Sequence, residues 1–307
     1  MLSLLAATST AAVSNVPLEW TSLGLSKGID LGFFELRFYS LAYLFGILFA
    51  YWHLSKMIRQ PGAPMAQRHV EDLFFYCFLG VILGGRLGYA AFYDQSLFGD
   101  FTGDGWVSWK LLRLWDGGMS FHGGLIGVVI AIGWVSWREK LSFIRVCDYV
   151  SVNVPVGMFL GRLANFVNGE LYGRVTDVPW AMSFPEYING TLINGPGRHP
   201  SQLYQAGLEG LALILIMLFL FWKTRARYRT GFLVATFATG MGLARFINEF
   251  FREPDAQLLE FAQQTGLSMG QWLSIPLILA GLAVMVWTLR RPEQNSGKRE
   301  AGDTADA

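Results

Sequence analysis

The chain has 307 residues, of which 52% are hydrophobic and only 15% are charged, and its mean hydropathy is +0.35. Soluble domains are about 25% charged, so this composition excludes an ordinary soluble protein and indicates a polytopic membrane protein. The net charge of +1 gives no concentrated basic surface, so no nucleic-acid partner is predicted. Cys77 and Cys147 lie far apart, which argues against a disulfide framework.

Seven apolar stretches approach the length of about 20 residues that a helix needs to cross a bilayer. We predict an all-α integral membrane protein with seven transmembrane helices. In chain order they cover residues 38–52, 73–92, 119–137, 146–166, 203–222, 231–251 and 272–289. The predicted divisions are an external N-terminal extension 1–37, a transmembrane domain 38–289 with an external head segment 168–202, and a disordered cytoplasmic tail 290–307.

The orientation of the helices follows from the lysines and arginines, because these residues are enriched in cytoplasmic loops. Fourteen of the 24 basic residues fall after spans one, three, five and seven. These connections are therefore predicted to be cytoplasmic, which places the N-terminus outside and the C-terminus inside. The opposite connections carry Asp94, Asp100 and Asp104 and the segment 168–202, which is long enough for a small external subdomain.

Three arginines, Arg86, Arg162 and Arg245, fall within or at the rim of apolar spans. A central arginine costs roughly 2.5–3.5 kcal/mol on insertion scales, so each of them needs a partner or a water-filled cavity. Polar residues occur at similar predicted depths, and we expect them to line one interior cavity. These residues are Asp116, His122, Asn165, Asn168, Glu170, Glu209 and Glu249.

The sequence GGRLGY at 84–89 places Arg86 among glycines, and Gly80 adds a small-residue spacing that permits close helix packing. The segment is either a packing seam with an arginine that reaches the interface or a contributor to the cavity. The sequence WDGGMSFHGG at 115–124 places His122 between glycine pairs near the outer end of span three. Histidine exchanges protons near neutral pH. The alternative is a core histidine between packed helices.

The densest polar cluster is GRLANFVNGELYGR at 161–174, where span four meets the external segment. Arg162 and Asn165 are three residues apart, so they share a helix face. A guanidinium suits bidentate capture of phosphate or carboxylate. The structural alternative is that these polar groups merely cap a helix at the membrane interface.

Two further segments are polar at helix ends. In RFINEFFR at 245–252, Arg245 and Glu249 are four residues apart, and they form either a self-neutralising ion pair or part of a site. In RHPSQLY at 198–204, His199 directly precedes Pro200, which is predicted to lie in the first turn of a helix. The segment is either part of the site or simply the start of that helix.

Together these motifs resemble the bacterial prolipoprotein diacylglyceryl transferase family. The stretch 161–173 is similar to the family's signature pattern, and the resemblance extends from about Phe38 to Leu289. Two positions depart from the family pattern, with Met241 in place of a tyrosine and Gln205 in place of a glutamate. The segments that carry the resemblance are 84–89, 115–124, 161–174, 198–204, 245–252 with its continuation 254–257, and 268–276.

The resemblance implies a multi-pass enzyme of the bacterial inner membrane whose active site lies toward the outer, periplasmic leaflet. It implies transfer of the diacylglyceryl group from phosphatidylglycerol to the lipobox cysteine of a prolipoprotein signal peptide, with release of glycerol phosphate. This is the first step of lipoprotein maturation. The implied partners are phosphatidylglycerol, prolipoprotein signal peptides and membrane lipids, and no cofactor is implied.

The resemblance implies functional residues at eight positions, which are His122, Arg162, Asn165, Glu170, Gly173, Arg245, Tyr39 and Tyr89. The predicted catalytic residues are His122, Arg162 and Arg245. The predicted residues that bind phosphatidylglycerol are Arg162, Asn165, Tyr39, Tyr89, Arg86, Glu170, Gly173, Glu249, Arg252 and His199.

Our hypothesis for the chemistry is that Arg162 and Arg245 bind the phosphodiester and stabilise the leaving phosphate, while His122 accepts the thiol proton. Two groups of residues would assist. Asn165, Tyr39 and Tyr89 would orient the head group, and Glu170 and Glu249 would hold the arginines.

An alternative function is a polytopic anion transporter that uses the same intramembrane arginines. No metal site is predicted, because the four histidines have no close-spaced partners that resemble a zinc site. These histidines are His53, His69, His122 and His199.

Overall fold

The computed structural model describes residues 17–32, 35–188, 191–253, 262 and 264–293. The helices in these residues are α1 Phe38–Met57, α2 Gln67–Phe92, α3 Phe121–Arg138, α4 Phe143–Ser151, α5 Val154–Val167, α6 Ser201–Lys223, α7 Phe232–Asn248 and α8 Met269–Leu289. Short 3₁₀ turns occur at Trp20–Leu23, Gln95–Phe98, Lys110–Leu112, Leu114–Asp116 and Ala226–Tyr228.

Five helices are long and apolar enough to cross a membrane, namely α1, α2, α3, α6 and α8. The bent pair α4–α5 provides a sixth candidate if it counts as one span, and α7 is apolar but has only 17 residues. The prediction of a multi-pass helical membrane protein is therefore confirmed. The count of seven spans and their orientation stay predictions.

The fourth predicted span, 146–166, is broken in the structure, because α4 and α5 meet at a bend of 42°. Pro155 lies in the first turn of α5, where it supplies no backbone N–H and its ring opposes continuation of α4. The side chain of Asn153 at this break donates to the carbonyl of Tyr149 at 3.0 Å and lies 2.7 Å from Nδ1 of His53. Side-chain hydrogen bonds thus stabilise the interrupted backbone.

Helices α2 and α3 pack backbone against backbone along a seam of glycines. A Cβ on Gly80 would lie 2.5 Å from the carbonyl oxygen of Gly127, and a Cβ on Gly88 would lie 2.7 Å from the Cα of Gly123. Such contacts are too short for any side chain, so only glycine allows this approach. The packing-seam interpretation of residues 84–89 is therefore confirmed for the glycines.

The helix ends alternate between two ends of the bundle. At one end of the bundle α1, α3, α6 and α8 begin, and α2, α5 and α7 end. We call this the head end. Short connections at residues 58–66, 139–142 and 224–231 join helices at the opposite end.

Strands at the head end correct the prediction that the chain is all-α. The strands are β1 Leu18–Glu19, β2 Gly28–Asp30, β3 Glu35–Arg37, β4 Met182–Ile188 and β5 Thr191–Arg198. β1 pairs in parallel with β4, β4 pairs antiparallel with β5, and β2 pairs antiparallel with β3. Proline interrupts helix formation in the segment 168–202, so strand pairing satisfies the backbone there instead.

Trp20 fastens the segment before α1 to the rest of the head end. Its side chain is buried against Met182 and Phe184, and its indole N–H donates to the carbonyl of Phe166 at 2.8 Å. Strand β1 of the predicted extension therefore shares one sheet with the segment 168–202, whereas β2 and β3 form a separate sheet. Some predicted segments fall outside the described residues, namely 1–16 of the extension, the motif continuation 254–257 and 294–307 of the tail.

The packing of the helices suits a lipid environment. A cluster of apolar side chains is fully buried toward the end opposite the head end, where it fills the space between helices, and it includes Met57, Val135, Val146, Tyr149 and Phe221. Many large apolar side chains on the outer helix surfaces are more than half exposed, among them Tyr43, Leu83, Ile130, Leu215 and Leu279. An apolar outer surface is expected where lipid tails are the solvent.

Candidate active site

Arg162 on α5 and Arg245 on α7 meet at the carboxylate of Glu209 on α6. Arg162 Nη2 lies 3.3 Å from Glu209 Oε2, and Arg245 Nη1 lies 3.9 Å from Oε1. Glu209 is fully buried, whereas the arginine side chains remain 23% and 25% exposed. The structure therefore brings these two predicted catalytic arginines together, and it leaves part of each side chain open to a ligand.

Glu249, at the end of α7, holds the second arginine from another side. Its Oε1 lies 2.7 Å from Arg245 Nη2 and 3.3 Å from Arg252 Nη1, and its Oε2 accepts a hydrogen bond of 2.9 Å from the Ser268 hydroxyl. Ser268 also forms a capping box with Gln271 at the start of α8. The predicted role of Glu249 as a holder of Arg245 agrees with these contacts, and the motif 268–276 supplies its support.

Tyr39, Asn165 and Glu170 form a second hydrogen-bonded group beside the arginines. The Tyr39 hydroxyl donates to Glu170 Oε1, and the Asn165 amide donates to both the Tyr39 hydroxyl and, at 3.3 Å, the same carboxylate oxygen. Asn165 lies on α5 one turn after Arg162, so the helix places this group next to the guanidinium. Three predicted head-group residues are thus in mutual contact.

The expected partners of the arginines require one correction. Glu170 was expected to hold them, but among the described residues its side chain contacts Tyr39, Asn165 and Asn168 instead. The carboxylate that contacts Arg162 is Glu209, which was expected to line the cavity but was not assigned to the catalytic or lipid-binding residues. The signal for it was present in the sequence, because Glu209 is the single charged residue within the apolar stretch 203–222.

Arg86, near the end of α2, has a different environment. Its guanidinium is buried and donates from all three nitrogen atoms to backbone carbonyls, including bonds of 2.6 Å to Lys110 and 2.9 Å to Leu111. The full set of acceptors is Lys110, Leu111, Arg113, Gly117 and Gly118. An arginine has five N–H groups, so these contacts occupy its donors and fasten the segment 110–118.

His122 lies in the first turn of α3, and its side chain is exposed. Within the described part of the chain it makes no hydrogen bond or ion pair, and its ring meets that of Phe121 edge to face at 5.7 Å. Asp116 is also exposed and forms an ion pair of 2.7 Å with Arg113. Among the described residues neither His122 nor Asp116 contacts the arginine pair, so the expectation of one interior cavity lined by all the polar groups stays a prediction for these two residues.

Tyr89 lies with the segment that Arg86 holds. Its ring stacks on that of Tyr93 at 5.6 Å, and a Cβ on Gly118 would lie 2.7 Å from Tyr89 Cε1. The contacts of Tyr89 are therefore local to the end of α2 and the approach to α3. No contact joins it to the arginine pair in the residues that the structure describes.

Gly173 lies at the head end, at a crossing of three chain segments around residues 173, 199 and 251. Its N–H donates to the carbonyl of His199 at 2.9 Å, and a Cβ added to it would lie 2.9 Å from the His199 Cβ. It also forms a bridge with Arg252. Only a glycine fits this crossing, which joins the signature segment to the end of α7.

His199 packs edge to face against Phe251, and its Nδ1 lies 3.2 Å from the Tyr204 hydroxyl. Trp180 donates to the same hydroxyl at 2.6 Å, so the hydroxyl is free to donate to His199. Partial burial lowers the pKa of His199 below its ordinary value, because removal from water disfavours the charged imidazolium. His199 is thus a hydrogen-bonding group at the place where these segments meet.

The electrostatics of the arginine cluster favour an anionic ligand. The guanidinium groups of Arg162 and Arg245 lie at the shared carboxylate of Glu209, and each side chain keeps an exposed part that a ligand can approach. The site is partly removed from water, where charge interactions are stronger than in bulk solvent. The geometry suits a phosphate group bound by two or more guanidinium groups.

Comparison with known proteins identifies relatives across almost the whole chain. Residues 27–287 match the family model described as prolipoprotein diacylglyceryl transferase. The phosphatidylglycerol–prolipoprotein diacylglyceryl transferase of Erythrobacter litoralis is 61% identical over 291 residues, which cover 95% of this chain and 99% of that protein. Proteins of the same name from Zymomonas mobilis and Aeromonas salmonicida are 44% and 48% identical, and the matches cover 89% and 88% of this chain and 94% and 92% of theirs. The chain therefore belongs to the prolipoprotein diacylglyceryl transferase family.

Proposed function

We propose that this chain transfers the diacylglyceryl group of phosphatidylglycerol to the cysteine thiol of a prolipoprotein lipobox. The relatives carry the name of this transferase activity. The observation that carries the proposal is the pair Arg162 and Arg245, which share one buried carboxylate and present two guanidinium groups to one place. Paired guanidinium groups are well suited to a lipid phosphate.

The reaction is a displacement at the glyceryl carbon that carries the phosphate. The thiol sulfur forms a bond to this carbon, the carbon–oxygen bond breaks, and the electron pair leaves with glycerol phosphate. The thiol proton passes to a base. Arg162 and Arg245 stabilise the charge that develops on the leaving phosphate, and their ion pairs with Glu209 and Glu249 position them before the reaction.

The group Tyr39, Asn165 and Glu170 is assigned to orientation of the lipid head group. Its hydrogen bonds fix the three side chains against one another next to Arg162, and Glu170 remains exposed. Hydroxyl, amide and carboxylate groups can hydrogen-bond the hydroxyls of a glycerol head group.

Arg86, Tyr89, Gly173 and His199 are assigned to positions around the lipid site. Their contacts favour an indirect contribution, because Arg86 and Tyr89 fix the segment before α3, and Gly173 and His199 fix the crossing at the end of α7. Arg252 is assigned with Glu249 to the retention of Arg245.

His122 is the proposed base for the thiol proton. Its exposed imidazole is free of competing hydrogen bonds within the described residues, so it is open to an incoming thiol. We expect His122→Asn to lower turnover about 100-fold and to remove the acidic limb of the pH profile, because general-base catalysis contributes roughly 10²–10⁴-fold. The measurement is turnover from pH 5 to 9. An unchanged profile and rate would exclude His122 as the base.

We propose seven spans, with α7 and the pair α4–α5 each crossing once, an external N-terminus and a cytoplasmic C-terminus. Support comes from the basic residues at the end opposite the head end, where Lys56, Arg138, Lys223 and Arg291 lie near helix termini. The head end, with the arginine cluster, then faces the periplasmic side of the bacterial inner membrane.

The decisive experiment uses the purified full-length chain, phosphatidylglycerol vesicles and a lipobox peptide, with thioether formation measured by mass spectrometry. The expected product is the diacylglyceryl peptide together with glycerol phosphate, and a peptide with serine in place of the cysteine should give none. Absence of product from the cysteine peptide would reject the proposed activity. The transporter alternative predicts phosphate movement across vesicles without thioether formation, and no relative reported above carries a transporter name.

A further inference from the structure

Glu209 lies in an unusual part of α6. The helix has α-helical geometry over Ser201–Gln205 and Leu213–Lys223, but the intervening Ala206–Ala212 is a π-helix. A π-helical turn is wider than an α-helical turn and changes the face on which the following side chains lie, and such turns are frequent at functional sites. Glu209 lies in the middle of this turn and is fully buried.

The packing around the π-helical turn brings α6 close to both neighbouring helices. A Cβ on Gly210 would lie 2.7 Å from the Cβ of Phe159 on α5, and a Cβ on Gly240 of α7 would lie 2.6 Å from Leu213 Cδ2. These close approaches place the Glu209 carboxylate between the inner faces of α5 and α7. The distance from carboxylate to each arginine therefore depends on the geometry of the turn.

Each oxygen of Glu209 has separate partners. Oε2 binds Arg162 Nη2 at 3.3 Å, whereas Oε1 accepts a bond of 3.3 Å from the Asn248 amide and lies 3.9 Å from Arg245 Nη1. Glu249 contacts Arg245 and Arg252 but not Arg162. Glu209 is therefore the one carboxylate, among the described residues, that contacts both arginines.

Two guanidinium groups that bind one phosphate repel each other before the phosphate arrives. A carboxylate placed between them offsets this repulsion, and the effect is strong because the surroundings are poorly hydrated. Glu209 is fully buried and negatively charged, so it is unsuited to contact the substrate phosphate itself. Its contribution must pass through Arg162 and Arg245.

We propose that Glu209 is a positioning residue that holds Arg162 and Arg245 at the spacing required by one lipid phosphate. The proposal rests on the proposed transferase function. Arg162 depends on it more strongly, because Glu209 is its sole hydrogen-bond partner in the described residues, whereas Arg245 also has Glu249. Loss of the Glu209 charge should therefore resemble a change at Arg162.

The test compares Glu209→Gln and Glu209→Asp with the wild-type chain. Glutamine keeps the size of the side chain but removes the charge, so we expect kcat/KM for phosphatidylglycerol to fall at least tenfold. Aspartate keeps the charge, so it should recover part of that loss. Combination of Glu209→Gln with Arg162→Lys should cost less than the product of the two separate losses, because both changes affect one interaction.

Asp148→Asn is the matched control. Asp148 is also fully buried, but it lies at the opposite end of the bundle, where it accepts hydrogen bonds from the N–H groups of Gly231 and Val234 at the start of α7. This variant should lower the melting temperature and leave the kinetic constants of the folded enzyme within about twofold of wild type. If Glu209→Gln gave the same result as Asp148→Asn, Glu209 would be merely structural and the proposal would be overturned.

A measurement of phosphatidylglycerol binding distinguishes failure of the positioning role from failure of the proposed transferase function. Binding is measured in detergent micelles without lipobox peptide. Under these conditions Glu209→Gln should bind phosphatidylglycerol at least fivefold more weakly than wild type. If wild type binds the lipid but forms no thioether, the transferase function fails, while weaker binding by Glu209→Gln still supports the positioning role. Equal binding and equal kinetics in the two proteins would reject that role.

Discussion

Arg86 and the pair Arg162 and Arg245 lie in apolar helices near the same end of the bundle, yet their partners differ in kind. Among the described residues Arg86 donates only to backbone carbonyls, which are neutral and fill its hydrogen-bonding capacity. Arg162 and Arg245 contact carboxylates on one side and remain about a quarter exposed. An arginine with saturated donors fastens a chain segment, whereas one held from behind by a carboxylate can bind an anion.

Hydropathy and charge could not show which of these arginines binds an anion and which stabilises the fold. All three incur a similar cost of insertion into an apolar environment, and all three lie within three residues of a glycine in the sequence. The kind of partner depends on segments that are distant in the chain, such as 110–118 for Arg86 and α6 for Arg162. The same substitution at both places should therefore have different consequences.

The largest effect is expected for Arg162→Lys. Lysine keeps the positive charge but lacks the planar fork, so it should bind the phosphate at one point only. We expect kcat/KM to fall about 100-fold, which is the size of effect seen when one preorganised charge-stabilising group is removed. The thioether assay with varied phosphatidylglycerol measures this loss. Wild-type kinetics in this variant would contradict the assignment of Arg162 to the phosphate.

Arg86→Lys should lower the stability of the fold more than it lowers turnover. Lysine has three donors on one nitrogen, so several buried carbonyls of the segment 110–118 would lose their partners, each at a cost of about 1–3 kcal/mol. We expect the free energy of unfolding to fall by about 2–4 kcal/mol in total, and turnover to fall less than tenfold.

Thermal unfolding in detergent, followed by intrinsic fluorescence, measures the stability of Arg86→Lys. The Michaelis constant for phosphatidylglycerol should stay within about twofold of wild type. A large rise in this constant without loss of stability would instead support direct lipid binding by Arg86.

The smallest effect is expected for Gly80→Ala, which tests the seam beneath Arg86. The added Cβ would lie 2.5 Å from the carbonyl oxygen of Gly127, so α2 and α3 must separate. Overpacking of this kind costs about 1–3 kcal/mol. Gly157→Ala on α5 is the control, because nothing lies within 4 Å of its added Cβ. Equal melting temperatures for the two variants would contradict the seam.

The membrane class and most helices could be predicted from the sequence, because length and hydropathy of each apolar stretch are local properties. The break between α4 and α5 was missed, although Pro155 marked it. The strands at the head end were missed as well, since β1 and β4 pair across more than 160 residues. Such a pairing leaves no signal in a local window.

The candidate site, like the fold, could be predicted from the sequence only in part. Arg162 and Asn165 could be assigned to one helix face because they lie three residues apart, and Arg245 and Glu249 could be paired for a similar reason. Glu209 required the structure, because its partners come from α5 and α7. The expected partnership of Glu170 with the arginines was wrong because proximity in sequence does not fix the direction of a side chain after a helix ends.

The sequence by itself determined that the chain is a multi-pass helical membrane protein, and its motifs indicated the family to which it belongs. These properties follow from composition, spacing along single helices and ordered motifs. Only the tertiary structure decided that Arg86 binds carbonyls while Arg162 and Arg245 share Glu209. The physical reason is that a buried charge is defined by its partners, and here those partners come from helices and segments far apart in the chain.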